Sequence, residues 1–162
     1  MSKLYFTRSG ADRIMRQKQA LFDKLRSIQG QKGEAAEVGG NQWHDNFSFE
    51  QLSRDEQMVN AQITEINRKI ADMVVIDQPP DDTSKLRIGH IALLDVNGEI
   101  KTYLVGGFED SESSTKPQVI SYLAPLIRQF IGKERGYTTS IKIDEKTVEV
   151  TLEEIQLQKE GK

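Results

Sequence analysis

The sequence predicts an α+β protein, in which an N-terminal antiparallel coiled-coil helical hairpin precedes a small antiparallel β domain with one short helix. Three observations support this prediction. Apolar residues recur every seven positions in two stretches, and a polar segment at 39–46 separates those stretches. Beyond Pro79-Pro80 the apolar period falls from about 3.5 residues to 2. We therefore expect a hairpin domain at 1–76 with its tip at 39–46, a linker at 77–85, and a second domain at 86–162.

Each arm of the predicted hairpin carries a narrow apolar seam that can bury little except the facing arm. The seam comprises Ile14, Leu21, Leu25, Ile28 and Ala35 in the first arm and Leu52, Val59, Ile63, Ile66, Ile70 and Met73 in the second. Thr7 or Ser9 is expected to cap the first helix, and Gly30 and Gly33 are expected to fray or bend its distal part. At about 1.5 Å per residue the arms form a rod on the order of 40 Å long, a length typical of an element that reaches a distant site.

Beyond the linker, alternating apolar residues predict two β-hairpins and a short helix. Asn97-Gly98 is a strong signal for a two-residue hairpin turn, and Gly132 is expected to end the helix. The predicted strands span 87–96, 99–105, 138–143 and 147–157, with a polar loop at 106–116 and the helix at 122–131.

Composition excludes several functional classes. The chain has no cysteine, which rules out disulfides, thiolate metal sites and a cysteine nucleophile. Its two histidines, His44 and His90, are far apart in sequence, so a histidine-rich metal site is not expected. The N-terminus has no signal-peptide core, and the longest apolar runs are too short to cross a bilayer. We therefore expect a cytoplasmic protein with no membrane partner.

Charge is distributed unevenly although the net charge is only −3. Seven basic residues and two acids lie between Arg8 and Lys32, whereas six acids and three lysines lie between Asp144 and Lys162. A basic rod attached to a weakly acidic body is suited to binding phosphates through the rod. A solvated helix face would give the same pattern, and both interpretations stay open.

The segment from Ile120 to Glu134 resembles a motif of the Gre family of bacterial transcription elongation factors, I-S-x-x-S-P-I-A-R-x-L-I-G-K-E. The matching residues are Ile120, Ser121, Pro125, Arg128, Ile131, Gly132, Lys133 and Glu134. The segment Asn41 to Phe49 also lines up with the tip pattern of cleavage-competent members, which is similar to G-D-L-S-E-N-A-E-Y. The order of hairpin, proline linker and β domain extends the resemblance over nearly the whole chain.

This resemblance implies an FKBP-like C-terminal domain that docks on RNA polymerase while the hairpin extends through the secondary channel. It implies docking through Leu123, Ala124 and Pro125. At the tip, Asp45 and Gln42 would assist cleavage of backtracked RNA, with Asp45 directed at a Mg²⁺ ion that is shared with the polymerase and not held stably by the free protein. His44 is a further catalytic candidate on its own chemistry, because a histidine beside Asp45 can carry a proton near neutral pH. The implied contacts to the nascent RNA 3′ end are Arg13, Arg16, Lys24 and Lys32. The chain would act as a monomer and an accessory factor, since the polymerase itself would cleave the RNA.

Two departures from the family pattern fall at these positions. Gln42 replaces the first tip acid and Asp45 replaces a glutamate, so the tip offers one carboxylate where cleavage-competent members offer two. An amide oxygen can bind Mg²⁺ but brings no negative charge. In the docking segment, Leu123 and Ala124 replace the polar pair before the proline, which indicates an apolar contact or a lost hydrogen bond.

The tip residues also have simpler interpretations. Asp45 fits a metal-directed carboxylate and equally the N-cap of the second helix, and the two roles are compatible. Trp43 could stack on a base or pack over Phe47 and Phe49, and His44 could shuttle a proton or be a passive surface residue. Three functions follow: a cleavage-stimulating elongation factor, a Gre-like regulator without cleavage activity, and a coiled-coil adaptor for an unrelated protein.

Overall fold

The computed structural model describes residues 2–39 and 47–158, and it confirms the predicted α+β architecture. Two compact units are present. One contains Asp12–Met73, and the other combines Lys3–Ala11 with Val74–Lys162. The first unit is a pair of long helices and the second is built around a β-sheet. The nine residues Lys3–Ala11, which include the start of the first helix, belong to the second unit.

The helical unit consists of α1 (Arg8–Gly39) and α2 (Phe47–Ala71). The predicted seam is confirmed at its centre, where Ile28, Val59 and Ile63 form a buried cluster. Its last predicted member, Met73, lies in a short strand beyond the end of α2. Leu21, Leu25 and Leu52 pack against this cluster. The expectation of a frayed distal first arm is wrong, because α1 continues through Gly30 and Gly33 to Gly39. Packing along the seam outweighs a glycine cost of about 1 kcal/mol per residue.

The β unit contains a five-stranded sheet made of β3 (His90–Val96), β4 (Glu99–Gly106), β5 (Gln118–Ser121), β6 (Thr138–Ile143) and β7 (Lys146–Leu157). The strands lie in the order β5-β4-β3-β7-β6. The sheet is mixed rather than wholly antiparallel, because β5 pairs in parallel with β4. The sequence pattern did not predict β5, because this short strand pairs with β4 only after the intervening loop at 107–117.

Both predicted hairpins are present. Asn97 and Gly98 have φ values of 55° and 89°, as a two-residue turn with left-handed central residues requires. The second turn places Asp144 and Glu145 in the same region, with φ values of 49° and 68°. Alternate residues of β3 point inward, so His90, Ala92 and Leu94 are buried while their neighbours are partly exposed.

Two short strands were not predicted from the sequence. They are β1 (Leu4–Thr7) and β2 (Met73–Ile76), which pair with each other in a separate two-stranded sheet. Thr7 is confirmed as a cap of α1, since its Oγ1 accepts a hydrogen bond from the Gly10 N–H at 3.1 Å.

The predicted helix at 122–131 is wrong in extent, because α3 spans only Pro125–Arg128. Proline disfavours helical geometry in the preceding residue, and Ala124 accordingly adopts an extended conformation with φ −61° and ψ 140°. The missing N–H of Pro125 suits the first turn of a helix. Gly132 then reverses the chain with φ 80°.

The main hydrophobic core lies within the β unit, between the sheet and α3. Phe130 and Ile127 are fully buried against the sheet residues. The buried core comprises Leu86, Ala92, Leu94, Tyr103, Val105, Ile127, Phe130, Ile141, Val150, Leu152 and Ile155.

Candidate functional site

The docking segment implied by the sequence resemblance forms a tight turn between β5 and α3. Two hydrogen bonds to Ser121 close the turn. Its Oγ accepts from the Leu123 N–H at 3.2 Å, and its carbonyl accepts from the Ala124 N–H at 2.9 Å. These bonds place Leu123 outward, with 44% of its surface exposed. Ala124 is half-buried and Pro125 is exposed. The turn therefore presents an apolar side chain on a fixed backbone.

Residues on both sides of the turn anchor it to the β unit. On the N-terminal side, the Tyr122 N–H donates to the Gly106 carbonyl at 2.9 Å. On the C-terminal side, the Ile127 and Arg128 N–H groups donate to the Ala124 carbonyl at 3.0 and 2.8 Å, and Ile127 is fully buried. A contact surface held on rigid elements loses little conformational entropy when it binds a partner.

β1 gives the docking segment a support that the sequence did not reveal. The Tyr5 N–H donates to the Tyr122 hydroxyl at 3.1 Å, and the two rings meet edge to face with centroids 5.9 Å apart. The sequence signal for this strand is the short and mostly apolar run Leu4–Thr7. That run alone does not show that Tyr5 contacts Tyr122, because the two residues lie 117 positions apart.

The same N-terminal strand is fastened to the loop after β4. The Phe108 N–H donates to the Tyr5 carbonyl at 2.7 Å. Buried Asp110 accepts from the Thr7 hydroxyl at 2.7 Å and from the Gly107 N–H at 2.8 Å. The cap of α1 is thereby hydrogen-bonded to the loop that follows β4.

On the hairpin, Lys32 of α1 forms an ion pair with Glu56 of α2. Its Nζ lies 3.1 Å from Glu56 Oε1 and 5.0 Å from the centroid of the Phe49 ring. The hydrogen bond from Lys32 lowers the pKa of Glu56 below its ordinary value. Any contact between Lys32 and RNA phosphates would therefore compete with this ion pair.

The other three candidate RNA-binding residues occupy one side of α1. Arg16 and Lys24 are exposed, and Arg13 is half-buried and has an interaction of its own. At about 100° of rotation per residue, the positions 13, 16 and 24 fall within a sector of about 80°. The helix thus presents three cations toward the same side, as a phosphate backbone requires.

The candidate tip residues Gln42, His44 and Asp45, together with Trp43, lie outside the described residues. Within residues 2–39 and 47–158, no group of three or more histidine, aspartate or glutamate side chains is placed to hold a metal ion. The Mg²⁺ ligands expected at the tip, the Asp45 carboxylate and the Gln42 amide oxygen, stay a prediction. This set fits an ion whose remaining ligands come from another molecule.

No helix in the described parts of the chain combines the length and the apolar character that a membrane crossing needs.

Comparison with known proteins finds several GreA proteins among the relatives of this chain. GreA from Pseudomonas putida is 30% identical over 128 residues, which cover 76% of this chain and 77% of the relative. GreA from Christiangramia forsetii is 27% identical over 159 residues, which cover 96% of this chain and 98% of the relative. Both are transcription elongation factors by name. No family model matches the sequence.

Among solved structures, GreA factor homolog 1 from Thermus thermophilus aligns with 95% of this chain and 99% of its own. The sequence identity is 18% and the TM-score is 0.43. The assignment therefore depends on the sequence relatives, which extend over both the hairpin and the β unit. On that basis, the chain belongs to the GreA family of transcription elongation factors.

Proposed function

We propose that this elongation factor binds RNA polymerase through the turn at Leu123, Ala124 and Pro125 and inserts its hairpin tip into the secondary channel. Family membership supports this role, and the observation that carries the docking assignment is the exposure of Leu123 on a hydrogen-bonded turn. An exposed leucine on a rigid turn suits an apolar pocket in a partner. It also offers a physical replacement for the polar pair of the family pattern.

The hairpin would carry its tip carboxylate to the polymerase active centre. When bound there, Mg²⁺ would supply positive charge that activates water and stabilises the transition state of phosphodiester hydrolysis. Asp45 and Gln42 would contribute ligands to that ion, and His44 would lie beside them. The factor is an accessory protein in this proposal, because the polymerase performs the cleavage.

The basic side of α1 would hold the extruded 3′ segment of the nascent RNA. Arg13, Arg16 and Lys24 supply the attraction to phosphates, and Lys32 joins them only where its ion pair with Glu56 opens. A monomer acting in the cytoplasm, where the bacterial polymerase works, is sufficient for this function.

A second candidate is a polymerase regulator that occupies the channel without supporting cleavage. The replacement of an acidic residue by Gln42 favours it, because one carboxylate attracts a divalent cation less strongly than two. A third candidate, an adaptor for an unrelated protein, needs no polymerase contact at all.

Association with core RNA polymerase tests the proposal. We expect the full chain to bind the purified enzyme at micromolar concentration or below. Absence of binding at that concentration would contradict both polymerase-based candidates and leave the adaptor.

Cleavage of RNA in stalled, backtracked complexes then separates the first two candidates. Asp45→Asn removes the negative charge but keeps a good N-cap residue, whereas Asp45→Ala removes both. If the Asp45 charge serves the metal, both variants lose stimulation of cleavage. If it serves only as a cap, Asp45→Asn retains the native rate. A native protein that binds but never accelerates cleavage identifies the regulator.

A further inference from the structure

A basic concavity of about 420 Å³ lies in the β unit, between the end of the 77–85 segment and the chain that follows α3. Three cationic side chains, one carboxylate and one aromatic ring line it, which leaves a local excess of two positive charges. We call this site the basic concavity, and its lining residues are Lys85, Gly132, Lys133, Glu134, Arg135 and Tyr137. Neither the docking turn nor the hairpin includes any of them.

Backbone hydrogen bonds fix both sides of the basic concavity. The Leu86 N–H donates to the Lys133 carbonyl at 3.0 Å, and the Gly132 N–H donates to the Leu86 carbonyl at 2.8 Å. This reciprocal pair holds Lys85 beside Lys133. At the far end, the Gly136 N–H donates to the Leu152 carbonyl at 2.7 Å. The backbone that carries the cationic residues is therefore fixed before any ligand arrives, which reduces the backbone entropy lost on binding.

Glu134 offsets one of the three positive charges of the lining, but none of the cations Lys85, Lys133 and Arg135 is held in an ion pair within the described part of the chain. Lys133 instead holds its ammonium 4.9 Å from the centroid of the Tyr137 ring. The Tyr137 ring is itself set edge to face on the buried Phe130, with centroids 5.9 Å apart.

A further cation borders the site. A Cβ built on Gly132 would lie 3.3 Å from a terminal nitrogen of the Arg87 guanidinium, so this group sits against the rim. Glycine at this position leaves the guanidinium close to the backbone, and its φ of 80° also favours glycine.

From this geometry we propose that the basic concavity binds phosphate groups, taken from a nucleotide or from a nucleic-acid backbone. Two lysines and an arginine line one open concavity, and multiply charged phosphates match that charge better than a single carboxylate does. Tyr137 is 37% exposed and partly covered by Lys133, so the site recognises the phosphates rather than a stacked base. Glu134 is the one acidic residue of the lining, and its carboxylate repels the phosphates.

Calorimetric titration of the full chain tests this proposal, with inorganic pyrophosphate, ATP and a short oligouridylate RNA as separate probes. The double variant Lys85→Ala/Arg135→Ala is compared with Lys101→Ala/Lys142→Ala, which removes two exposed lysines outside the concavity. We expect the first variant to weaken pyrophosphate binding by about tenfold or more and the second to leave it within about twofold. Glu134→Gln should strengthen binding. All these side chains are exposed, so the fold should persist, and circular dichroism checks it.

The three probes also distinguish the source of the phosphate. ATP or RNA that binds more tightly than pyrophosphate, and loses that advantage in Lys85→Ala/Arg135→Ala, identifies the nucleotide or the polynucleotide as the ligand. Equal binding of all three probes assigns recognition to the phosphates alone. RNA binding that the double variant leaves unchanged, while pyrophosphate binding weakens, assigns the RNA to the basic side of α1 and supports phosphate binding in the concavity. Pyrophosphate binding that the double variant leaves unchanged would overturn the proposal. Absence of saturable pyrophosphate binding would also overturn it, without affecting the proposed action on polymerase.

Discussion

Lys32 and Glu56 connect the two arms of the hairpin, with the lysine Nζ 3.1 Å from the glutamate Oε1. Their side chains are only 22% and 23% exposed, whereas the Arg26–Asp23 and Arg68–Glu65 pairs lie in open solvent. The cations along α1 are therefore not equivalent. Lys32 contributes to the hairpin itself, whereas Arg16 and Lys24 remain exposed to solvent.

This ion pair predicts a pH-dependent contribution to stability. Its hydrogen bond lowers the pKa of Glu56 in the folded protein, so the stabilisation is present above the ordinary glutamate pKa and is lost as the pH falls through the lowered value. Lys32→Met should lower the melting temperature at pH 7, and the difference from the native protein should vanish in acid. Thermal unfolding followed by circular dichroism measures both effects. Glu56→Gln serves as the control, and a Lys32→Met difference that persists unchanged in acid would contradict this account.

The apolar seam of the hairpin predicts unequal costs for two truncations on α2. Ile63 is 8% exposed within the seam cluster, whereas Met58 is 61% exposed. Ile63→Ala should lower the free energy of unfolding by about 2–4 kcal/mol, because it removes buried methyl groups and leaves a cavity. Met58→Ala should change it by less than about 0.5 kcal/mol. Denaturant unfolding compares the two, and equal costs would show that the arms do not pack along this seam.

Two glycine substitutions are predicted to act in opposite directions. A Cβ on Gly107 would lie 2.7 Å from the Thr7 nitrogen and 2.9 Å from both the Phe6 Cα and the Tyr5 carbonyl oxygen. Because these are backbone atoms, Gly107→Ala should displace β1 and destabilise the protein by about 2 kcal/mol or more.

Gly30→Ala is the matched control, since nothing lies within 4 Å of its added Cβ. It should stabilise α1 by about 0.5–1 kcal/mol through helix propensity alone. Chemical unfolding detects both changes, and hydrogen exchange in β1 reports whether the strand has been released. A Gly107→Ala protein with native exchange in β1 would show that the close approach is easily relieved.

These substitutions also show which features the sequence could predict. The seam of α1 and α2 and the turn at Asn97-Gly98 depend on spacing and on residues next to each other, so local patterns identify them. β1 and β5 are short strands whose pairing depends on distant partners. No local pattern indicates that Tyr5 would meet Tyr122.

The predicted helix over the candidate docking segment is wrong, and the docking role of this segment stays a prediction. An amphipathic stripe that includes Ile127 and Phe130 suggested one long helix, and both residues are indeed buried. Pro125 and the Ser121 hydrogen bonds decide the actual geometry, which places Leu123 in a turn. The exposure of Leu123 follows from this turn and not from the helical spacing of apolar residues.

Leu123 is predicted to contribute to polymerase binding, with Leu157 as its matched control. The two leucines are similarly exposed, at 44% and 41%, and both lie in the β unit. Leu123→Ala should weaken binding to core polymerase by about tenfold, equivalent to ~1.4 kcal/mol, without changing the melting temperature. Leu157→Ala should bind as the native protein does. Fluorescence anisotropy with labelled protein measures these affinities, and equal binding by the two variants would move the docking surface elsewhere.

Gln42 is predicted to limit how strongly the tip supports Mg²⁺-dependent cleavage. Gln42→Asp adds a second carboxylate near Asp45, and a divalent cation is attracted more strongly to two negative charges than to one. The variant should raise the cleavage rate of backtracked complexes by about tenfold at limiting Mg²⁺, and the gain should shrink as Mg²⁺ approaches saturation.

Gln42→Asn shortens the side chain by the same amount without adding charge, so it should show no gain at any Mg²⁺ concentration. Cleavage is followed by the release of short RNA fragments at several Mg²⁺ concentrations, with polymerase binding measured in parallel. If Gln42→Asp binds the polymerase normally and cleaves no faster, charge at the tip is not the limiting factor, and the channel-blocking regulator becomes the better description of this protein.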